Sequence, residues 1–298
     1  MLFSIYYILL SFISVSFVGT AFFLLFQRFF HSHWSEKIEE IANKSLKLQL
    51  LLLLIFLLPV IFDLIFIGNI RICLISKYLN NNFLLLYYNH NFILIRTIIY
   101  CVLFIFLLFK LSGLNLKTFS NLSTKTQIKY PSIYLVLLFI IGNFYGIDLL
   151  MSIQSGWSSA IWGIYFISIS YITAICLSAL IRIINIKKSK RICKDEKELE
   201  NIGKLIFGVN FFWAYLFYIQ ILIIMYGNLP KEMLFLDLRM ESVYKYLFYF
   251  ISMFHFILPS ILLLPTNFKQ NTRILLITSC LIIISTITEL CWIILPVI

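Results

Sequence analysis

Five ionisable side chains, Asp63, Arg96, Asp148, His255 and Glu289, lie in long apolar runs of this 298-residue chain. A charge carried into hydrocarbon is costly, so such groups must pair, meet water or serve chemistry. The chemistry on offer is proton transfer. An imidazole titrates near neutrality and a carboxylate can take or give a proton. Asp63, Asp148, His255 and Glu289 are therefore the proton-path candidates. Arg96 keeps its proton and suits an anionic or carbonyl group. With Asn143, Gln220, Trp213 and Tyr226 it is the expected lining of a polar cavity. A plainer reading stays open, in which Asp63 or Glu289 merely pairs with Arg96 and holds the bundle together.

Other chemistries lack their residues. No P-loop, GxSxG elbow or HExxH is present, and no carboxylates are spaced as a hydrolase dyad. Cys73, Cys101, Cys176, Cys193, Cys280 and Cys291 form no CxxC or CxxCH and no set spaced for zinc or iron–sulfur. The sequence thus predicts no covalently bound cofactor, no metal site and no catalytic residue proper.

The elements that must position the polar groups are transmembrane helices. The chain is 61% hydrophobic and 12% charged, with a mean hydropathy of +0.97, whereas soluble domains run at about 45–50% apolar and about 25% charged. About 30 Å of hydrocarbon needs about 20 residues at about 1.5 Å each. Eight runs qualify, near 4–27, 48–70, 92–112, 132–152, 160–182, 203–227, 243–264 and 273–295. The expected fold is a single all-α polytopic bundle of about eight helices. The first run has no basic residue before it and no small-residue cleavage site, so it reads as a retained helix.

The net charge of +11 is arranged by loop. Lys and Arg number four in 28–47, four in 110–129, eight in 182–204 and two in 269–273, while the alternate loops hold few. By the positive-inside rule the rich loops are cytoplasmic, with both termini outside. The basic balance reads as topology, so a nucleic-acid partner is not expected. With that topology Asp63, Asp148, Gln220 and Glu289 fall in the outer halves of their helices. Arg96 lies near the outer start of its own, and His255 about mid-membrane. One shared outward-facing cavity is the resulting expectation. Two polar segments complete the plan. His31 to Lys47 carries Trp34, Ile38, Ile41 and Leu46 at the spacing of a short surface helix, and 187–201 is a charged cytoplasmic connector.

Several segments also resemble a known family. Phe207 to Pro230, with its FWAY, Gln220, Tyr226 and closing Asn-Leu-Pro, follows an IGKLIF start at Ile202. Gly146 to Phe166 carries Asp148, Met151, Ser152, Trp157, Ser159, Gly163, Tyr165 and Phe166 in a matching order. Lys77 to Asn80 with Asn91 to Tyr100 (Arg96 included), Phe254 to Pro259 (His255) and Thr288 to Trp292 (Glu289) add weaker matches, as do Phe26–Gln27 and His33 to Glu40. Together they resemble the F subunit of alternative complex III, a bacterial quinol:electron-acceptor oxidoreductase of the polysulfide-reductase (NrfD-like) superfamily. The resemblance implies an NrfD-like bundle in the inner membrane. It implies partners as well: a multihaem cytochrome, a large iron–sulfur protein and the related C-type membrane subunit. It further implies a role in supporting quinol oxidation and in proton translocation. Two departures stand out: that family has about ten helices, and its basic stretch after His-Phe-x-x-Pro here reads LLLPTNFKQN. A chain that itself binds quinol, a secondary transporter and a scaffold without chemistry are the competing readings. Transporters of broken-helix type draw on Gly and Pro, and only ten Gly and six Pro are available here.

Overall fold

The computed structural model describes residues 2–30, 33–66, 87, 89–113, 124–154, 157–189 and 196–297. These form helices α1 (Leu2–Phe29), α2 (Glu36–Phe66), α3 (His90–Gly113), α4 (Thr124–Leu149), α5 (Trp162–Ser189) and α6 (Glu196–Gly227). Then follow the short α7 (Pro230–Met240), α8 (Tyr244–Leu262), the short α9 (Thr266–Gln270) and α10 (Thr272–Ile294). Eight of them are long and apolar enough to cross a membrane. The chain is a multi-pass, all-α membrane protein. The face with the α4–α5 link, α7 and the end of α10 is called upper here; the face with the α1–α2 and α5–α6 links is lower.

α1 and α5 are the core of the bundle: 72% and 78% of their apolar windows are buried, against 22% for α2 and α3 and 17% for α8. Both central helices are rich in Ser and Thr, which would be costly in hydrocarbon unless satisfied. Ser11, Ser14 and Thr20 on α1, and Ser170 and Thr173 on α5, donate to the carbonyl four residues back. That local bond removes the penalty while keeping the side chains small, so the helices can approach closely. The approach is tightest at Gly19, where a Cβ would sit 1.8 Å from the Ser170 carbonyl oxygen.

The segment expected as a separate surface helix is instead the start of α2. Only a 3₁₀ turn, His33–Ser35, precedes it. Nothing between Lys47 and Leu48 breaks a helix. Glu36 and Glu39 in the first turn suit its positive end. Ile38, Ala42, Leu46, Leu50, Leu53 and Leu57 make one buried stripe through surface and membrane parts alike. The charged connector is also partly helical. α5 runs to Ser189 and α6 starts at Glu196, with Arg182 gripping Glu198 through two bonds of 2.7 and 2.9 Å; residues 190–195 lie outside the described set.

α8 contains a π-helical turn, Ser252–Ile257. Its cause is legible. Pro259 offers no N–H, and its ring would strike the carbonyl of His255 in a regular helix. The ladder widens instead, and Leu258 N–H bonds Met253 O five residues back. A π-turn rotates the following side chains and often marks a functional position.

Gly19→Val should destabilise the bundle by about 1–3 kcal/mol or more through overpacking. Gly208→Ala, where an added Cβ meets nothing within 4 Å, should be neutral or slightly stabilising. Thermal unfolding of the two variants in detergent checks the contrast.

Candidate functional site

Four helices converge on Glu289. α10 brings the carboxylate to a position with no solvent exposure, and α5 and α6 supply its donors. Tyr165 of α5 donates its hydroxyl to Oε1, and Trp213 of α6 donates Nε1–H to the same oxygen at 3.1 Å. Oε2 has no hydrogen-bond partner. It faces Nε2 of His255, also fully buried and also without a partner, at 4.0 Å. The π-turn of α8 places His255 flat against Trp213, with ring centroids 3.6 Å apart and planes at 26°.

The other imidazole nitrogen fixes what this gap can do. Nδ1 lies 3.2 Å from Asn210 Oδ1, one α6 turn below Trp213. With Asn210 Oδ1 facing the ring, an oxygen that only accepts, the hydrogen sits on Nδ1 and a lone pair is left on Nε2; turning the amide to present Nδ2, which has no other partner, would reverse the two. In the first arrangement two acceptors face each other across 4.0 Å. They become compatible when a proton sits on one of them, or when a water donates to both. A water about 2.8 Å from each would subtend roughly 90°, close to its own bond angle. The geometry can accommodate a proton held or shared between them.

A second cluster lies between α3 and α4. Asp148 accepts from Tyr100 at 2.6 Å and from Tyr87 at 2.9 Å, and Arg96 Nη1 stands 3.4 Å from its Oδ1. Arg96 also donates to the Tyr87 carbonyl at 3.1 Å and lies 3.7 Å over the Tyr87 ring. Its Nε and Nη1 make no hydrogen bond. A cavity of about 380 Å³ opens beside it, lined by Arg96, Tyr87, Tyr100, Phe92, Ile140 and Phe144 among others. Phe92, Ile99, Ile140 and Phe144 are exposed on the outer wall, so the cleft opens sideways, where lipid would stand. The volume falls within the about 300–1,000 Å³ usual for small-molecule sites.

No family model matches this chain, and no curated protein matches it either.

The cavity expected from the sequence is therefore divided. His255, Glu289 and Trp213 come together, and so do Asp148 and Arg96, but the two groups share no member among the described residues. Arg96 pairs with Asp148. Asp63 lies on α2, and its side chain falls outside the described residues. Gln220 is buried and takes the Ser159 hydroxyl at 2.5 Å, in neither cluster. Asn143 donates to the Phe139 carbonyl of its own helix and packs on Gly163, where a Cβ would lie 1.9 Å from its Oδ1. Tyr226, 87% exposed, points off the end of α6.

The residue missed by sequence reasoning is Arg239, on α7. It is 1% exposed. Nη1 donates to Gln154 Oε1 at 2.6 Å and to the Phe235 carbonyl at 2.8 Å, and Nη2 donates to the Ile293 carbonyl at 2.6 Å. No carboxylate joins these partners, and Nε has none. Burial lowers the guanidinium to about 9, which still leaves it charged at neutral pH. The signal in the sequence was faint: one Arg in PKEMLFLDLRM, a stretch that reads as an ordinary interfacial helix. Tyr165, Tyr87 and Tyr100 were missed for a related reason, since tyrosines in apolar runs are too common to single out.

Arg96→Met should cost about 1–3 kcal/mol by leaving a partly buried carboxylate without its cation. The double variant Arg96→Met with Asp148→Leu should recover much of that loss. Thermal unfolding of the four proteins in the cycle gives the coupling; an additive result would mean the pair does not interact.

Proposed function

We propose that this chain is a membrane subunit of a bacterial quinol:electron-acceptor oxidoreductase resembling alternative complex III, and that it carries protons through Glu289 and His255. The observation behind the reading is the pair of fully buried, unpartnered acceptors, His255 Nε2 and Glu289 Oε2, facing each other at 4.0 Å. The pair is left open for a proton. The family-like segments contribute to it: Tyr165, Trp213, His255 and Glu289 all come from stretches that carry the resemblance. In this reading the Lys/Arg-rich lower face is cytoplasmic, both termini are outside, and the protein sits in the inner membrane. Electrons pass through the partners, a multihaem cytochrome and an iron–sulfur protein, beside a C-type membrane subunit.

A second reading is favoured by one further observation, the lateral cleft at Arg96. Arg96 borders that cleft with its Nε and Nη1 buried behind an apolar wall, and Asp148, 3.4 Å from Nη1, balances the positive charge. A neutral carbonyl-bearing head group with an apolar tail fits this arrangement, so the chain would itself hold the quinol. Asp148 would then position Arg96 and Tyr100 against the head group. A secondary transporter has no comparable support.

The test is a tagged chain purified in mild detergent, with its partners identified by mass spectrometry and haem staining. Glu289→Gln should still co-purify with haem-bearing partners while quinol-dependent turnover or proton release falls at least about tenfold. Full activity in that variant would sink the proton role. A chain that emerges alone, without haem, would sink the respiratory assignment.

A further inference from the structure

Arg239 stands between Glu289 and the upper face. Its anchor on α10, the Ile293 carbonyl, is four residues beyond Glu289, a rise of about 6 Å. That carbonyl belongs to the last turn of α10, where the helix exposes unpaired acceptors and the negative end of its dipole. The clamp is reciprocal, since Trp292 donates Nε1–H to the Arg239 carbonyl at 3.2 Å.

Aromatic rings close around the cation. The guanidinium lies 3.7 Å over the Phe235 ring and 6.0 Å from that of Trp292. Phe235 in turn stacks on Trp157 at 3.9 Å, and Trp157 meets Trp162 edge-on at 4.9 Å. The result is a fixed positive charge under a dry aromatic cover.

Every partner of that charge is a neutral dipole: an amide oxygen and two carbonyls. Among the described residues no carboxylate pairs with it, and Arg239 interacts electrostatically with Tyr165, whose hydroxyl donates to Glu289. A guanidinium does not give up its proton at neutral pH, so it cannot relay one. It can only repel. Fixed Arg charges in a narrow polar passage are a known means of excluding protons.

We propose that Arg239 is an electrostatic seal, a buried cation on α7 that blocks passive proton exchange between Glu289 and the upper face. The proposal rests on the reading that Glu289 carries protons, and it goes further by naming which side is closed and by what. Proton release on that side then requires α7 to shift, drawing Arg239 off the end of α10.

The test uses the purified protein with whatever partners it retains, in liposomes holding a pH-sensitive dye under a valinomycin-set potassium potential. Arg239→Gln keeps hydrogen bonding but removes the charge, and should raise passive proton entry at least about tenfold. Arg239→Lys should stay tight. Adding Glu289→Gln to Arg239→Gln should close the leak again. If Arg239→Gln does not fold, Gln154→Glu sets an anion beside the guanidinium, cancels its field without dismantling the clamp, and should leak likewise. A folded neutralised variant as tight as the parent overturns the proposal. So does a leak that persists without Glu289, because that is merely a broken bundle. The measurement needs no quinol. A Glu289-dependent leak in a protein without haem-bearing partners would therefore retain the seal and discard the respiratory reading.

Discussion

A polar group carried into hydrocarbon finds its partner inside the protein or stays unsatisfied at a cost of several kcal/mol. That constraint shapes nearly every feature of this bundle. The hydroxyls of α1 and α5 turn back onto their own helices, which lets small side chains line the centre and the two helices close at Gly19. Larger polar groups cannot turn back so easily and are paired across helices, as with Tyr7 to the Leu149 carbonyl and Ser14 to Tyr145 at 2.7 Å. His255 and Glu289 are among the buried groups that keep unmet atoms. They are neighbours. Arg28 Nε and Glu39 Oε2, 3.8 Å apart near the lower face, are a second such pair, but there the two groups carry opposite charges.

The π-turn of α8 belongs to the same logic. A regular helix would place Pro259 against the carbonyl of His255. Widening the turn relieves that clash and moves His255 onto Trp213 at 3.6 Å, where its free nitrogen meets Glu289. A backbone irregularity in lipid is tolerated only where the freed groups are sheltered by protein. Here His255 is fully buried. The proline thus positions the imidazole without touching it.

How much of this could be read from the sequence follows from range. Eight apolar runs were legible because a span is a local property of about 20 residues, and the described helices bear out that number and the all-α class. The surface-helix reading of 31–47 failed because amphipathic spacing does not say where a helix stops; α2 continues through Lys47 into the membrane. Polar residues at depth identified Glu289, His255, Asp148 and Arg96 as groups in need of partners. Which would meet which depends on helix rotation and neighbour order, and these are set by packing across the whole bundle. Depth alone made one cavity of what the structure shows as two clusters. Tyr226 and Asn143 show the same limit from the other side. Each sits in an apolar run, yet Tyr226 is exposed at a helix end and Asn143 bonds its own helix.

Arg239 carries the argument furthest from the sequence. In PKEMLFLDLRM it looks like one more interfacial charge, and only the fold brings it beneath Trp157, Phe235 and Trp292 onto the end of α10. Its partner Gln154 lies just past the turn in which Ser152 bonds the Asp148 carbonyl at 2.5 Å. On its other side is Tyr165, the donor to Glu289. The two clusters share no side chain among the described residues, but the Gln154–Arg239 bond ties the α4–α5 turn to α7, and Arg239 interacts with Tyr165. A shift of α7 would therefore be felt at the Asp148 end through the α4–α5 turn and at Glu289 through Tyr165. Trp162 offers a second route, because it donates Nε1–H to the Gly146 carbonyl, two residues before Asp148, and packs against Tyr165 at 5.3 Å.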